Sequence, residues 1–193
     1  MTDSGESTGT FARNETLLKQ LERSRFERSL EVSESLAEKR ALLTAMELER
    51  LNLILIGKEL GSKVMGGTGY NPWREEPATV KLPSGRVETM SVIDNPKLLT
   101  RDKLHRATEM SEAGHVIDAA VELYCELVLS HCFKDANRRT AVLASHYFLK
   151  RYGVALSGLA LHEIGLGDLR EPGQKEALKE TIHQMAKFAA KRG

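Results

Sequence analysis

Apolar residues recur along most of this chain at helical spacing, and one short stretch alternates residue by residue. Residues 1–13 are rich in Ser, Thr and Gly and are expected to be disordered. Asn14 is placed to cap a helix. Residues 15–40 hold many charges and neither Gly nor Pro, with Leu17, Leu18, Leu21, Phe26, Leu30 and Leu36 in an imperfect stripe. The spacing predicts one helix there, or two, partly solvated. Residues 41–60 place Leu48, Leu51 and Leu55 on one face and Leu42, Met46 and Leu53 near another. That reads as a helix packed on two sides and ended by Gly61.

Residues 61–77 are loop-like. Gly66-Gly67-Thr68-Gly69 lacks a preceding strand and a following helix pattern, so it reads as a connector rather than a phosphate loop. Over residues 78–92 the period changes to two. Val80 and Leu82 alternate with Thr79 and Lys81, Val87 and Thr89 alternate with Glu88 and Met90, and Pro83-Ser84-Gly85 is turn chemistry. This predicts one small β-hairpin, which needs helices to lean on or a partner. Helical spacing returns near Lys97–Met110 and over Val116–Ser130, where Ile117, Ala120, Tyr124 and Leu127 form a stripe that His131 continues. It recurs over Thr140–Arg151, with Ala141, Ala144, Ser145 and Phe148 inward, and over Gln174–Lys191, with Leu178, Ile182, Met185 and Phe188 inward. Residues 154–173 read as loop or short turns. The fold class is all-α with one hairpin.

Composition narrows the function. The chain has 193 residues and a formal net charge of +1, from 28 Lys and Arg against 27 Asp and Glu. That balance argues against a nucleic-acid binder acting by bulk charge and against a polybasic membrane-surface protein. The longest apolar stretch, Leu51–Ile56, is broken by Asn52 and far too short to span a bilayer. Residues 1–10 lack the features of a signal peptide. Cys125 and Cys132 cannot make a disulfide framework, so reduced thiols and a cytoplasmic location are expected.

Chemistry gathers in His131-Cys132-Phe133-Lys134-Asp135-Ala136-Asn137-Arg138-Arg139-Thr140-Ala141. Residues 131–153 carry Lys134, Arg138, Arg139, Lys150 and Arg151 against Asp135 alone. A helix beginning near Arg138 turns its free N–H groups toward this loop, and arginines beside such an end make an anion site. Asp135 there calls for a cation, and Mg²⁺ takes one or two carboxylates together with phosphate oxygens. His131 can serve as a base near neutral pH. A base, a magnesium carboxylate and an anion cradle together suggest phosphoryl or nucleotidyl chemistry. The bland alternative is a basic capped turn between two helices.

The stretch HCFKDANRRTA resembles the signature of the Fic/Doc (Fido) family, His-x-Phe-x-(Asp/Glu)-(Gly/Ala)-Asn-x-Arg. The resemblance implies an all-α Fic/Doc-like bundle with one hairpin flap and an N-terminal helical extension. It divides the chain into a disordered 1–13, an extension 14–44 and a Fic/Doc-like domain 45–193. It implies an enzyme that moves a phosphate-containing group from ATP, with Mg²⁺, to a hydroxyl of a target protein. His131 is then the base, Phe133 anchors the loop, and Asp135 holds Mg²⁺. Lys134, Ala136, Asn137, Arg138 and Arg139 bind nucleotide phosphates, and Thr79, Val80, Lys81 and Leu82 in the flap align an extended target segment by strand addition. An antitoxin or other regulatory protein is a possible further partner; nucleic acid and membrane are not expected.

Two departures matter. Adenylylating members carry Gly-Asn-Gly-Arg and a second arginine three residues on; here the positions read Ala136-Asn137-Arg138-Arg139, with Val142 in the last place. This is closer to Doc-type loops, whose members phosphorylate, and a long cation at 138 fills space that glycine leaves open. The reading leans to phosphoryl transfer, with adenylylation and a catalytically silent binding module as alternatives. No glutamate is followed by Gly or Asn, so the family's inhibitory motif is absent.

Overall fold

The computed structural model describes residues 6–59, 69–164 and 168–191. Among them, seven helices and one hairpin follow the order α1 Glu6–Glu38, α2 Ala45–Ile56, β1 Ala78–Lys81, β2 Val87–Met90, α3 Pro96–Glu112, α4 Val116–Ser130, α5 Asn137–Arg151, α6 Gly158–Glu163 and α7 Gln174–Ala190. The described residues are therefore mostly helical with a single antiparallel hairpin, as the two periods in the sequence predict.

Helix α5 is the axis of the bundle, and α4, α1, α2, α6 and α3 pack around it. Thr140 through Leu149 are all buried, so the face of Ala141, Ala144, Ser145 and Phe148 is only part of what α5 hides. A helix enclosed on every side has no polar face to reveal its period. Its small residues admit close neighbours: the Ser145 hydroxyl donates to the Ala120 carbonyl of α4 at 2.9 Å, and Ser33 of α1 donates to the Leu143 carbonyl at 3.3 Å. Tyr147 donates to the Ala41 carbonyl and accepts from the Leu43 amide, fixing the link between α1 and α2.

Several boundaries differ from expectation. Residues 6–13 are helical rather than disordered, so Asn14 lies inside α1 instead of capping it. Once a long charged helix exists, extending it costs little, and the lone Gly9 opposes it by only about 1 kcal/mol. Helix α2 stops at Gly57, four residues before Gly61. Gly57 has φ +71°, a left-handed conformation that glycine adopts without strain, while a Cβ there would meet only the movable end of the Arg25 side chain. Leu42 and Met46 are exposed, and α2 buries Leu48, Leu51, Asn52, Leu53, Ile54 and Leu55 instead. Helix α7 buries Leu178 and Ile182 but leaves Phe188 68% exposed, because its last turns run past the edge of the bundle. Residues 158–163, expected to be loop, form the short α6. Gly61 and residues 66–68 of the glycine-rich stretch lie outside the described residues.

The hairpin pairs Ala78 with Met90, Thr79 with Thr89, Val80 with Glu88 and Lys81 with Val87. Its alternation is visible in burial: Val80 and Glu88 are half-buried while Thr79, Lys81 and Val87 face outward. No helix among the described residues is long and apolar enough to cross a membrane.

Candidate active site

Helix α4 ends at His131, which takes left-handed backbone angles (φ 51°, ψ 51°) and whose N–H donates to the Leu127 carbonyl. That turn directs the chain across the bundle instead of onward along α4. Residues 132–134 then run antiparallel to residues 72–74. Arg74 N–H donates to the Cys132 carbonyl and Lys134 N–H to the Pro72 carbonyl, both at 2.8 Å. Phe133 is buried and stacks on Trp73 at 4.4 Å between ring centroids. The Trp73 indole donates to Glu49 at 2.7 Å. The loop is thus nailed down by an aromatic pair, one partner of which was expected as its anchor.

A second left-handed residue, Ala136 (φ 57°, ψ 25°), starts α5. Such a conformation costs an alanine about 1–2 kcal/mol, so neighbours must hold it. Asn137 does this with both ends of its amide, accepting from the Phe133 N–H at 2.9 Å and donating to the Phe133 carbonyl at 2.8 Å. Asn52 of α2 reaches the same loop. Its amide donates to the Asp135 carbonyl and to Thr140 Oγ1, both at 2.9 Å, and Thr140 in turn donates to the Ala136 carbonyl. Asn52 was visible in the sequence only as the polar break in an apolar run.

Among the described residues no side chain caps α5, so its opening turn faces the loop uncapped, although the Ala136 N–H itself donates to Asp135 Oδ1 at 2.5 Å. The Asp135 carboxylate is otherwise largely open to solvent, with Arg139 Nη2 4.0 Å away. Arg139 also lies 3.9 Å from Glu22 of α1. Arg138 donates to the Ile164 carbonyl beyond α6 at 2.7 Å. Lys134 is exposed, 3.7 Å from Glu75 and 5.5 Å from the Tyr70 ring centre.

These groups border a cleft of about 650 Å³. Of the residues expected from sequence, His131, Lys134, Asp135, Ala136, Asn137, Arg138 and Arg139 line it from the loop, and Val80, Lys81 and Leu82 from the hairpin. Thr79 lies outside the lining, on the outward face of β1. Further lining residues were not expected from sequence, among them His162, Asp168 and Arg170. His162 stacks on Phe26 of α1 at 4.2 Å. Arg170 bridges Glu88 of β2 at 3.2 Å and Asp168 at 3.5 Å. Nothing in the sequence around residue 170 distinguishes it from a surface cation.

Burial holds the His131 imidazole below its ordinary value, and the charges of Arg74 and Arg170 push the same way while Asp135 opposes them. A neutral imidazole at physiological pH is what a proton acceptor requires. The Cys125 thiol is pushed up to about 11, chiefly by burial, which makes it a poor nucleophile. Among the described residues no three His, Cys, Asp or Glu side chains gather as a ready metal cage. A single open carboxylate suits a cation that keeps its waters and shares phosphate oxygens, and Mg²⁺ fits that description.

Comparison with known proteins bears on the family and the fold. The model of the Fic/DOC family matches residues 42–149. No curated protein matches. Among solved structures, the chain is similar to a Fic domain containing signaling protein from Bacteroides thetaiotaomicron, with 18% identity and a TM-score of 0.57. The match covers 87% of this chain and 66% of that one, so this chain spans just under two thirds of the other's length.

Proposed function

The chain belongs to the Fic/DOC family, and from that premise we propose that it transfers the γ-phosphoryl group of ATP to a hydroxyl side chain of a target protein. The observation that carries this reading is one cleft, of nucleotide size, bordered by a histidine, an open carboxylate, the start of α5 with its arginines, and a hairpin edge.

The target segment lies along the hairpin as an added strand and brings a Ser, Thr or Tyr hydroxyl to His131. The unprotonated ring nitrogen of His131 takes the hydroxyl proton as the oxygen bonds to the γ-phosphorus. The bond from that phosphorus to the bridging oxygen breaks, and ADP leaves with the electron pair. Arg139 and the N–H groups of the first α5 turn hold the phosphate oxygens. Asn137 and Asn52 keep that turn in shape. Asp135 is the residue that would hold Mg²⁺, which when bound supplies positive charge against the phosphates. Arg138, anchored on Ile164, stands at the lip of the cradle where glycine would leave room. Its bulk supports a nucleotide laid with its γ-phosphate, not its α-phosphate, at His131.

The test is transfer from ATP labelled at either the α- or the γ-phosphate, with Mg²⁺, to an array of extended Ser/Thr peptides. We expect γ-label on the peptides, lost by about 10²–10⁴-fold in His131→Ala. Transfer of α-label would replace this reading with adenylylation, and Arg138→Gly should then increase it. Nucleotide binding without any transfer would leave a binding module whose hairpin serves a regulatory partner.

A further inference from the structure

Arg74 is an unusual buried group. It lies in the irregular segment before β1 and is 4% exposed. Among the described residues its side-chain hydrogen bonds all run to backbone carbonyls: Nε to His131 at 2.6 Å, Nη2 to Ser130 at 3.4 Å, and Nη1 to Glu76 at 3.0 Å, Met90 at 3.3 Å and Ser91 at 2.8 Å. Burying a cation is costly unless its protons are satisfied. Here two acceptors come from the end of α4, where carbonyls project partial negative charge. The other three come from the two feet of the hairpin, just before β1 and at the end of β2.

The same guanidinium therefore grips the hairpin at both ends and the backbone of the proton acceptor. His131 needs such a grip, because its left-handed backbone costs about 1–2 kcal/mol for a residue other than glycine. The hairpin needs one too, because two strands alone are marginal in water. Lysine could supply the charge but not the planar fork that meets carbonyls in several directions.

We propose that Arg74 is the positioning residue that sets the register between the hairpin and His131, so that a hydroxyl carried on the hairpin edge arrives at the imidazole. The proposal rests on the transferase reading above, and it makes the position of the target strand and the position of the base a single mechanical quantity. The charged groups facing His131 are Arg74 itself, Arg170 from the segment between α6 and α7, and Asp135 from the motif loop. Arg74 and Arg170 disfavour the imidazolium and Asp135 favours it.

Two variants separate geometry from charge. Arg74→Lys keeps the cation and loses the fork. Arg74→Met removes both, and circular dichroism establishes whether each is folded. In the peptide-array assay, Arg74→Lys should lower kcat about 10²-fold, the cost of a misplacement near 1 Å, with KM for ATP unchanged. NMR titration of the His131 ring in the free protein should show its pKa rising in Arg74→Met and staying low in Arg74→Lys. Hairpin amides should exchange faster in both. A folded Arg74→Lys with wild-type kcat overturns the proposal. If the wild-type protein transfers no label, the transferase reading fails, and the ring titration and amide exchange still decide the coupling: unchanged values in both variants overturn it.

Discussion

Asn52 shows how a single side chain can decide the shape of a site it does not enter. Fully buried on α2, it holds the carbonyl of Asp135 and the hydroxyl of Thr140, which together fix the left-handed turn at Ala136. Asn52→Ala would leave one buried and one half-buried acceptor without their donor, a loss of about 1–3 kcal/mol. Thermal melting should register that loss, and γ-label transfer should fall further than stability alone explains, because the cradle opens. A variant as stable and as active as wild type would remove Asn52 from the site. The residues proposed to carry the chemistry, His131, Asp135 and the arginines, announce themselves by type and spacing. Asn52 does not, because its partners lie 83 and 88 positions away. Arg74 is hidden for the same reason, since a cation in a polar loop gives no sign that five carbonyls will converge on it.

At the scale of elements, the hairpin makes a sharp prediction. Leu82 donates to the Arg86 carbonyl across the turn, so pairing alternates such that Val80 and Glu88 exchange ladder bonds while Thr79 and Lys81 turn their backbone groups to the free edge. Lys81→Pro removes one outward N–H and leaves the ladder intact, a substitution an edge strand tolerates. Peptide KM should rise about tenfold, the worth of one hydrogen bond, with KM for ATP unchanged. An unchanged peptide KM would mean that the target does not add as a strand on that edge. The hairpin itself was legible because alternation, a Pro-Ser-Gly turn and short length are local signals. The extents of α4 and α7 were legible for the same reason, as periodic runs between turn residues. The centrality of α5 was not, because burial on all sides erases periodicity. The end of α2 at Gly57 was missed because the left-handed turn belongs to the folded backbone, and residue type alone does not choose between Gly57 and Gly61.

For the whole molecule, three histidines share one electrostatic situation. Burial holds His131, His146 and His162 below the ordinary value of 6.5. The unfolded chain therefore binds more protons than the folded one as pH drops below the ordinary imidazole range. Stability is full above that range and is lost as pH falls through it toward the folded values. Melting temperature should decline between about pH 7 and 5, ahead of carboxylate titration, and a flat profile over that interval would contradict the burial of these rings. Label transfer should fall over the acid side of the same interval, following His131 alone.

Helix α1 bears on modularity. The family model begins at residue 42, yet Phe26, Leu30 and Ala37 sit in the common core, Ser29 and Ser33 hold carbonyls of α2 and α5, and Gly158 lets α6 approach Leu30 so closely that a Cβ would meet it at 2.5 Å. The recognisable segment is consequently not a portable cassette. Any ancestral exchange, gene fusion or engineered graft that carried residues 42–149 without α1 would leave behind one wall of its own interior, and with it the Phe26 ring that backs His162 at the edge of the cleft.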